Sequence, residues 1–594
     1  MTSYTPPAAD MVFILRDLLR VHEMTDPPHY AEVDEGLIEA VAHEAGRFCR
    51  EVIAPLNANS DKQGCTRHAD GTVTTPDGFR EAYAQWIESG WGTLAQPAEF
   101  GGQGMPHALY TVIEEYLNGA CAGFMMYPGI MSGAVATVLS SASDDLKAAY
   151  LPQMVSGEWL ATMALTEGQA GTDLGLMKTT ATPAGNGTYA ISGEKIFISG
   201  GEHDLTENIV HLVLARLPDA PVGTRGISLF LVPKVLPDSG ERNTVSCGSI
   251  EHKMGLHGSA TCVLNFDRAT GWLLGEEHQG LAAMFIMMNA ARLGVGAQGL
   301  AHAEHAYQKA AAYVLERKQG RASGERADPA AAADPLIVHP DVRRLLLDAR
   351  AFIEGFRALV LWTAVQIDVS HHAEDAGVRR QADATVSFLT PIIKAYGSDR
   401  GFETAVNMQQ LFGGHGYVTE WGMEQIVRDA RIPMIYEGAN GVQALDLAGR
   451  KTARDGGKVA NGLLHQIAAE CAAAPADLAF LADPLGKAVH HGEAAVTLLV
   501  EHAGRNPDDM AGGAYAYMQL MGTLALGWMW LRIATEAQRQ LAAGEGDAAF
   551  LSAKLAVARV FAEQQLPLCT TLRQRVKAGA AALMALTPEQ FLRS

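Results

Sequence analysis

The stretch Arg428-Asp429-Ala430-Arg431-Ile432-Pro433-Met434-Ile435-Tyr436-Glu437-Gly438-Ala439-Asn440-Gly441 sets one carboxylate, Glu437, between an aromatic residue and a glycine-rich turn, in otherwise apolar company. Surroundings of that kind raise a carboxylate's pKa wherever they strip it of water. A carboxylate so tuned suits the removal of a weakly acidic proton. Taken alone, the same residues read equally well as a loop with an exposed Glu.

Two further segments bear on that choice. In Met163-Ala164-Leu165-Thr166-Glu167-Gly168-Gln169-Ala170-Gly171-Thr172-Asp173, the hydroxyls of Thr166 and Thr172 can offer hydrogen bonds to a flat heteroaromatic ring and its side chain. An ordinary Thr/Gly turn is the commoner meaning of such residues. In Gln410-Leu411-Phe412-Gly413-Gly414-His415-Gly416-Tyr417, consecutive glycines at a helix end let backbone N–H groups reach a diphosphate without Cβ interference. A helix C-cap has the same pattern.

Around these segments the chain of 594 residues is too long for one core, and two to four domains are expected. Residues 1–160 read as helices joined by turns, with apolar faces at Met11–Leu15 and Leu37–Val52 and a glycine-rich turn at Glu99–Gly104. Residues 161–278 hold short β-branched or alternating runs: Tyr189–Ile191, Ile196–Ile198, Val210–Ala215, Ile227–Val232 and Cys262–Phe266. Those runs predict an antiparallel sheet or barrel. Helical periodicity returns over 279–450, interrupted by the low-complexity run Gly320–Pro335, which reads as an exposed connection. His339-Pro340 then opens a long helix to about Val369. Residues 451–594 are Ala- and Leu-rich and read as a separate helical domain, with Met518–Leu531 strongly apolar. The order helices, strands, helices predicts segregated α and β domains, an α+β chain that is mainly α.

Charge narrows the partners. The net charge is −20, and residues 451–594 hold 13 basic and 13 acidic residues, so the whole excess lies before residue 451. An acidic chain argues against nucleic acid as the main partner and leaves any phosphate to be held locally. The cysteines Cys49, Cys65, Cys121, Cys247, Cys262, Cys471 and Cys569 are scattered without a CxxC pair, which predicts core thiols and neither a metal site nor a disulfide framework. The N-terminal residues lack a basic n-region, and Phe591-Leu592-Arg593-Ser594 is not a peroxisomal address, so a cytoplasmic protein is expected. The Met518–Leu531 run is too short to span a bilayer, and helix packing is its expected role.

The three segments together, in this order, resemble the acyl-CoA dehydrogenase family over roughly residues 30–450, most specifically at Ile435-Tyr436-Glu437-Gly438. The resemblance extends to Lys195-Ile196-Phe197-Ile198-Ser199-Gly200 and to the Arg292–Ala301 helix. It implies an N-terminal helical domain, a middle β-barrel-like domain and a C-terminal four-helix bundle, here followed by an extra helical domain. It also implies FAD in the cleft between domains, a CoA thioester desaturated between its α and β carbons, and Glu437 as the base. The thioester carbonyl is then polarised by the base's own backbone N–H and a ribityl hydroxyl of FAD. Thr166 and Thr172 match flavin-contacting positions, and Phe197 and Ser199 fall where the family usually has Trp and Thr beside the ring. Arg317 matches the Arg that reaches the FAD diphosphate of a neighbouring subunit, implying at least a dimer, as homodimer or homotetramer. Gln410, Gly413 and Gly414 match the turn at the adenine half. Glu99, Tyr436 and Arg292 are expected at the substrate, with Met125, Met126 and Tyr127 as pocket-wall candidates.

Two departures bear on FAD contacts: Gly320 replaces an aromatic residue common after the Arg, and Ala439 replaces the usual Thr after Glu-Gly. Some family members carry the base on the earlier helix, but Leu281–Ala291 holds no carboxylate. The N-terminal extension and the helices after residue 450 resemble a long branch of the family. That branch includes 3-methylmercaptopropionyl-CoA dehydrogenases of dimethylsulfoniopropionate breakdown and bacterial medium- and long-chain acyl-CoA dehydrogenases of β-oxidation. Reoxidation is expected to use an electron-transferring flavoprotein. An acyl-CoA oxidase and a flavin-free scaffold on the same fold are the rival readings.

Overall fold

In the computed structural model, which describes residues 4–324 and 329–592, the chain forms two compact bodies. One is built on Ala40–Gly294, the other on Pro7–Glu39 together with the chain from Val295 onward.

The first body joins helices to a sheet. Its longest helix within the N-terminal part, His107–Met125, is buried along almost its whole length and is followed by Met131–Ser141 and Asp144–Ser156. A small hairpin pairs β1 (Thr66–Arg67) with β2 (Val73–Thr74). The main sheet has seven strands: β3 (Trp159–Ala164), β4 (Thr180–Pro183), β5 (Tyr189–Ser199), β6 (Asn208–Arg216), β7 (Ile227–Pro233), β8 (Val245–Ile250) and β9 (Thr261–Leu274). Five of them close a ring in the order β6-β4-β5-β9-β7 and back to β6, with β3 added beside β6 and β8 beside β9. Closure removes the free edges of those five strands. Ile191, Val213, Phe230, Val232, Leu264 and Ala269 fill the interior.

Two expectations change here. The sheet is mixed: β3 runs parallel to β6 along six residue pairs, and β4 meets β6 in parallel at Thr180–Arg216. Parallel neighbours need a crossover, and the β4–β5 hairpin lies within the connection between β3 and β6. The runs Tyr189–Ile191 and Ile196–Ile198 are one strand, β5, with irregular register between Ile191 and Gly193 and between Lys195 and Ile198.

In the second body the Gly280–Glu316 helix, from Val295 onward, packs with Pro340–His372 and Ala376–Leu411. It meets the Ala376–Leu411 helix backbone to backbone, since a Cβ on Gly299 would lie 2.7 Å from the Gly397 carbonyl oxygen and one on Gly401 2.3 Å from that of Gly299. The Gly280–Glu316 helix is long and apolar enough to cross a membrane by length and composition. Its residues Leu300, Ala303, Ala306 and Val314 are nonetheless fully buried in this body.

The helices after residue 450 belong to the same body. The Pro507–Ala543 helix contains the whole Met518–Leu531 run and buries it. Trp530 Nε1 donates to the Ala351 carbonyl at 2.8 Å, and Trp362 packs edge-on to Trp528. A buried charge cluster adds the N-terminal extension: Asp10 accepts from both Arg357 and Lys554. Arg357 also reaches Glu304 at 2.6 Å, and Lys554 reaches Glu354 at 2.8 Å. Burial opposes the Asp10 charge, yet the two cations hold its carboxyl below the usual range.

The Gly320–Pro335 segment is less open than its composition suggests. Gln319 N donates to Asp334 O and Asp334 N to Gly320 O, both at 3.0 Å, and Leu336 N donates to Arg317 O at 2.8 Å. Residues 325–328 of this segment, like Arg593 and Ser594, lie outside the described residues. All seven cysteines are free; five are buried, while Cys65 and Cys471 are partly exposed.

Candidate active site

In the second body Glu437 sits at the end of a tight descent. Pro433 helps set the short turn Ile432–Met434; Glu437 then adopts φ +54° and Gly438 φ +85°, and the helix Asn440–Leu445 begins. A left-handed conformation is costly for a residue with a Cβ and persists only where neighbours enforce it. Here the neighbours are explicit. Lys394 Nζ donates to the Gly438 carbonyl at 2.7 Å, and Gln443 Nε2 donates to the Glu437 carbonyl at 3.2 Å. Tyr436 donates its hydroxyl to Gln298 Oε1 on the Gly280–Glu316 helix. Burial, and then the adjacent Glu437 charge, push the Tyr436 phenol above its ordinary pKa.

Asn440, 5% exposed, ties this loop down. Its Oδ1 accepts from Lys394 Nζ at 2.8 Å, and its Nδ2 donates to Asp399 Oδ1 at 2.7 Å. Lys394, fully buried, is a cation with no place in an apolar core unless its donors are satisfied. The sequence reading missed Lys394, Asp399 and Asn440. The available signal was a Lys inside the apolar run Pro391-Ile392-Ile393-Lys394-Ala395-Tyr396.

The other predicted residues of this body lie at helix ends. Arg317 is exposed just after Glu316 closes its helix, and Gly320 follows at φ +69°, a conformation that favours glycine over the expected aromatic residue. Gln410, Gly413 and Gly414 are exposed at the end of the Ala376–Leu411 helix, with Gly413 at φ +58° and open space where a Cβ would stand at either glycine. Stacked rings brace that turn: Tyr313 on Phe412 at 4.2 Å and His415 on Trp421 at 4.4 Å.

In the first body Thr166 and β5 are brought together, since Ile196 N donates to Thr166 O at 2.9 Å. A buried ion pair beneath them fixes the turn. Lys195 Nζ donates to Glu167 Oε1 and to Leu165 O, each at 2.9 Å. Glu167 also accepts from Lys178 N and from Thr179 N and Oγ1. Burial opposes its charge, but Lys195 and these donors take the carboxyl down to about 2. For Lys195 burial outweighs its carboxylate partner and brings the amine down to about 8. Phe197 lies in the irregular part of β5 at φ +60° and is 59% exposed, beside the partly exposed Ser199. An exposed ring on β5, two residues from Ser199 and next to the Ile196 that bonds the Thr166 carbonyl, fits a flat heteroaromatic cofactor.

Thr172 is exposed past that turn, and Glu99 is exposed on the turn Ala98–Phe100. Arg292 is buried, and its Nη1 lies 3.3 Å from Asn289 Oδ1. Met125 and Tyr127 are buried; the Tyr127 hydroxyl accepts from Ala260 N and donates to Gly258 O, which commits that residue to packing.

Four family models match in order: the acyl-CoA dehydrogenase N-terminal domain at residues 38–158, its middle domain at 162–269, its C-terminal domain at 278–451, and an acetyl-CoA dehydrogenase C-terminal-like domain at 463–587. The chain is 43% identical over 97% of its length to a 3-methylmercaptopropionyl-CoA dehydrogenase of Ruegeria pomeroyi, covering 98% of that protein. It is 32% identical end to end to the broad-specificity linear acyl-CoA dehydrogenase FadE5 of Mycobacterium tuberculosis. Among solved structures, an acyl-CoA dehydrogenase complexed with FAD from Bacillus anthracis shares the fold at TM-score 0.73 and 21% identity, over 93% of this chain and 90% of that one.

The chain therefore belongs to the acyl-CoA dehydrogenase family. It is an FAD-dependent oxidoreductase that desaturates an acyl-CoA thioester between its α and β carbons.

Proposed function

We propose that Glu437 is the base of this reaction and that the acyl group is 3-methylmercaptopropionyl or a related short- or medium-chain acyl. The observation that carries the base assignment is the left-handed Glu437, held by Gln443 at its own carbonyl and by Lys394 one residue on. With its backbone held in that way, the partly buried Glu437 leaves the loop from a set position, from which its carboxylate can take the α-proton. Its own backbone N–H is the chain's group for polarising the thioester carbonyl as the proton leaves. FAD, when bound, would supply the hydride-accepting chemistry, and the protein's part is to position the acyl group and the base. Thr166, Thr172, Phe197 and Ser199 would face the flavin; Arg317, Gln410, Gly413 and Gly414 would hold its phosphate and adenine parts. Glu99, Tyr436 and Arg292 would meet the substrate.

The preference for the thioether substrate rests on the 43% identity to the Ruegeria protein along nearly the whole chain. A medium- or long-chain fatty acyl group is the second reading, favoured by the end-to-end match to a broad-specificity linear acyl-CoA dehydrogenase. We further propose a cytoplasmic homodimer or homotetramer that passes electrons to an electron-transferring flavoprotein. One structural neighbour, at 27% identity and TM-score 0.56, comes from a study of such a flavoprotein in Acidaminococcus fermentans.

A panel of acyl-CoA substrates with an artificial electron acceptor tests the reading. The highest kcat/KM is expected with 3-methylmercaptopropionyl-CoA or a chain of similar length. A maximum at long-chain acyl-CoA would overturn the substrate assignment, and peroxide formed in air without an added acceptor would make the protein an oxidase.

A further inference from the structure

Asp399 stands between the loop that carries Glu437 and the helices that follow the family's three-domain core. Its Oδ1 accepts from Asn440 Nδ2 at 2.7 Å. Its Oδ2 accepts from Tyr515 OH and, at 2.7 Å, from Gln519 Nε2, both on the Pro507–Ala543 helix. Asn440 uses its other atom, Oδ1, to receive Lys394 and Ser398, and Lys394 passes on to the Gly438 carbonyl. The chain of hydrogen bonds thus starts on a helix outside the core domains and ends one residue after Glu437.

Direction matters in this chain. Asn440 presents its donor to Asp399 and its acceptor to Lys394, so a carboxylate at one end and an ammonium at the other fix which way the amide points. Burial, the largest effect, raises the Asp399 carboxyl above its ordinary pKa, while the hydrogen bonds from Tyr515 and Asn440 and the Lys394 ammonium favour the carboxylate. Buried networks of this kind specify one arrangement when every member is satisfied. The helix that supplies Tyr515 and Gln519 cannot drift without moving Asp399, because it is seated closely: a Cβ on its Gly522 would lie 2.5 Å from the Tyr396 ring.

We propose that the Pro507–Ala543 helix positions the catalytic base. Tyr515 and Gln519 hold Asp399, Asp399 orients Asn440, and Asn440 with Lys394 fixes the backbone at Gly438 and hence the left-handed Glu437. Tyr515, Gln519, Asp399, Asn440 and Lys394 are positioning residues acting through Glu437. The inference rests on Glu437 being the base, and it assigns the helices after residue 450 a part in the chemistry besides packing.

The test uses the full-length holoenzyme. Tyr515 is 42% exposed, so Tyr515→Phe and the double variant with Gln519→Leu are expected to fold. A base displaced by a fraction of an ångström loses rate before it loses affinity, so kcat is expected to fall about tenfold or more in the double variant. KM for acyl-CoA should stay within about twofold, FAD content and melting temperature should match wild type, and Asp399→Asn should behave likewise. An unchanged kcat in the double variant overturns the proposal. So does a fall in kcat matched by loss of FAD or of melting temperature, which is what a purely structural helix would give. Glu437→Gln run alongside separates the two claims: if it keeps full turnover, the base assignment fails; if it is inactive while the double variant is fully active, only the positioning role fails.

Discussion

The hydroxyl of Tyr436 donates to Oε1 of Gln298, so the residue before Glu437 is tied to the Gly280–Glu316 helix, while the residue after it is tied to the Ala376–Leu411 helix through Lys394. Gln298 is 2% exposed, and removing it leaves a phenol without its acceptor. Losing one partner of such a pair costs about 1–3 kcal/mol. A double-mutant cycle on Gln298→Leu and Tyr436→Phe, read by urea unfolding, is expected to give a coupling of about 1 kcal/mol. Strictly additive effects would mean that the bond contributes nothing.

Replacing Glu437 separates chemistry from stability. Glu437→Gln is expected to keep FAD and acyl-CoA binding and to lose turnover by roughly a few hundredfold or more, the loss of a positioned base. Glu437→Gly should be as inactive yet melt no lower than wild type, because glycine accepts φ +54° without strain. A marked drop in melting temperature for the glycine variant would show that the side chain stabilises its own loop.

The ion pair below Thr166 predicts an acid sensitivity with a definite sign. The Glu167 carboxyl titrates at about 2 in the fold, against 4.5 as its ordinary value. Its stabilisation is therefore complete above pH 4.5 and is lost as pH falls through 2. Glu167→Gln leaves the Lys195 ammonium buried without a counter-charge, a change costing about 3–5 kcal/mol. Urea unfolding at pH 7 and pH 3 should find the variant less stable at pH 7 and less sensitive to acid; equal pH dependence in both proteins would refute the assignment.

Much of this was legible from sequence, and the boundary has a physical cause. Glu437, the glycines at 413 and 414, and the runs that became β6, β7 and β9 announce themselves locally, through turn chemistry and periodicity. The left-handed backbone at Gly320 was not legible: the sequence showed only a missing aromatic residue, and the φ of +69° that favours glycine there appears only in the fold. What also escaped were pairings between residues far apart in the chain. Nothing near Tyr515 indicates that it meets Asp399, and nothing near Lys195 indicates that a charged residue inside a strand is neutralised by Glu167. The parallel β3–β6 pairing escaped for the same reason, because strand direction is set by the path of the connection and leaves no mark on composition.

The charge cluster at Asp10 predicts how the N-terminal extension is held. Asp10→Ala removes the anion shared by Arg357 and Lys554, which are 1% and 2% exposed. A cost of about 3–5 kcal/mol is expected for the body that contains all three. Limited proteolysis should then cut within residues 7–39 faster than in wild type, and an unchanged cleavage rate would count against this anchoring role.

Where the Gly280–Glu316 and Ala376–Leu411 helices cross, a Cβ on Gly299 or Gly401 would strike the carbonyl of the other helix, so the two main chains touch there. The spacing of the supports behind Tyr436 and Gly438 is thus a property of peptide atoms, which substitutions elsewhere can hardly retune. Any adaptation of such a protein to a bulkier or slimmer acyl group must therefore be made by residues hung from these two rods, as fittings are exchanged on a frame whose joint is welded.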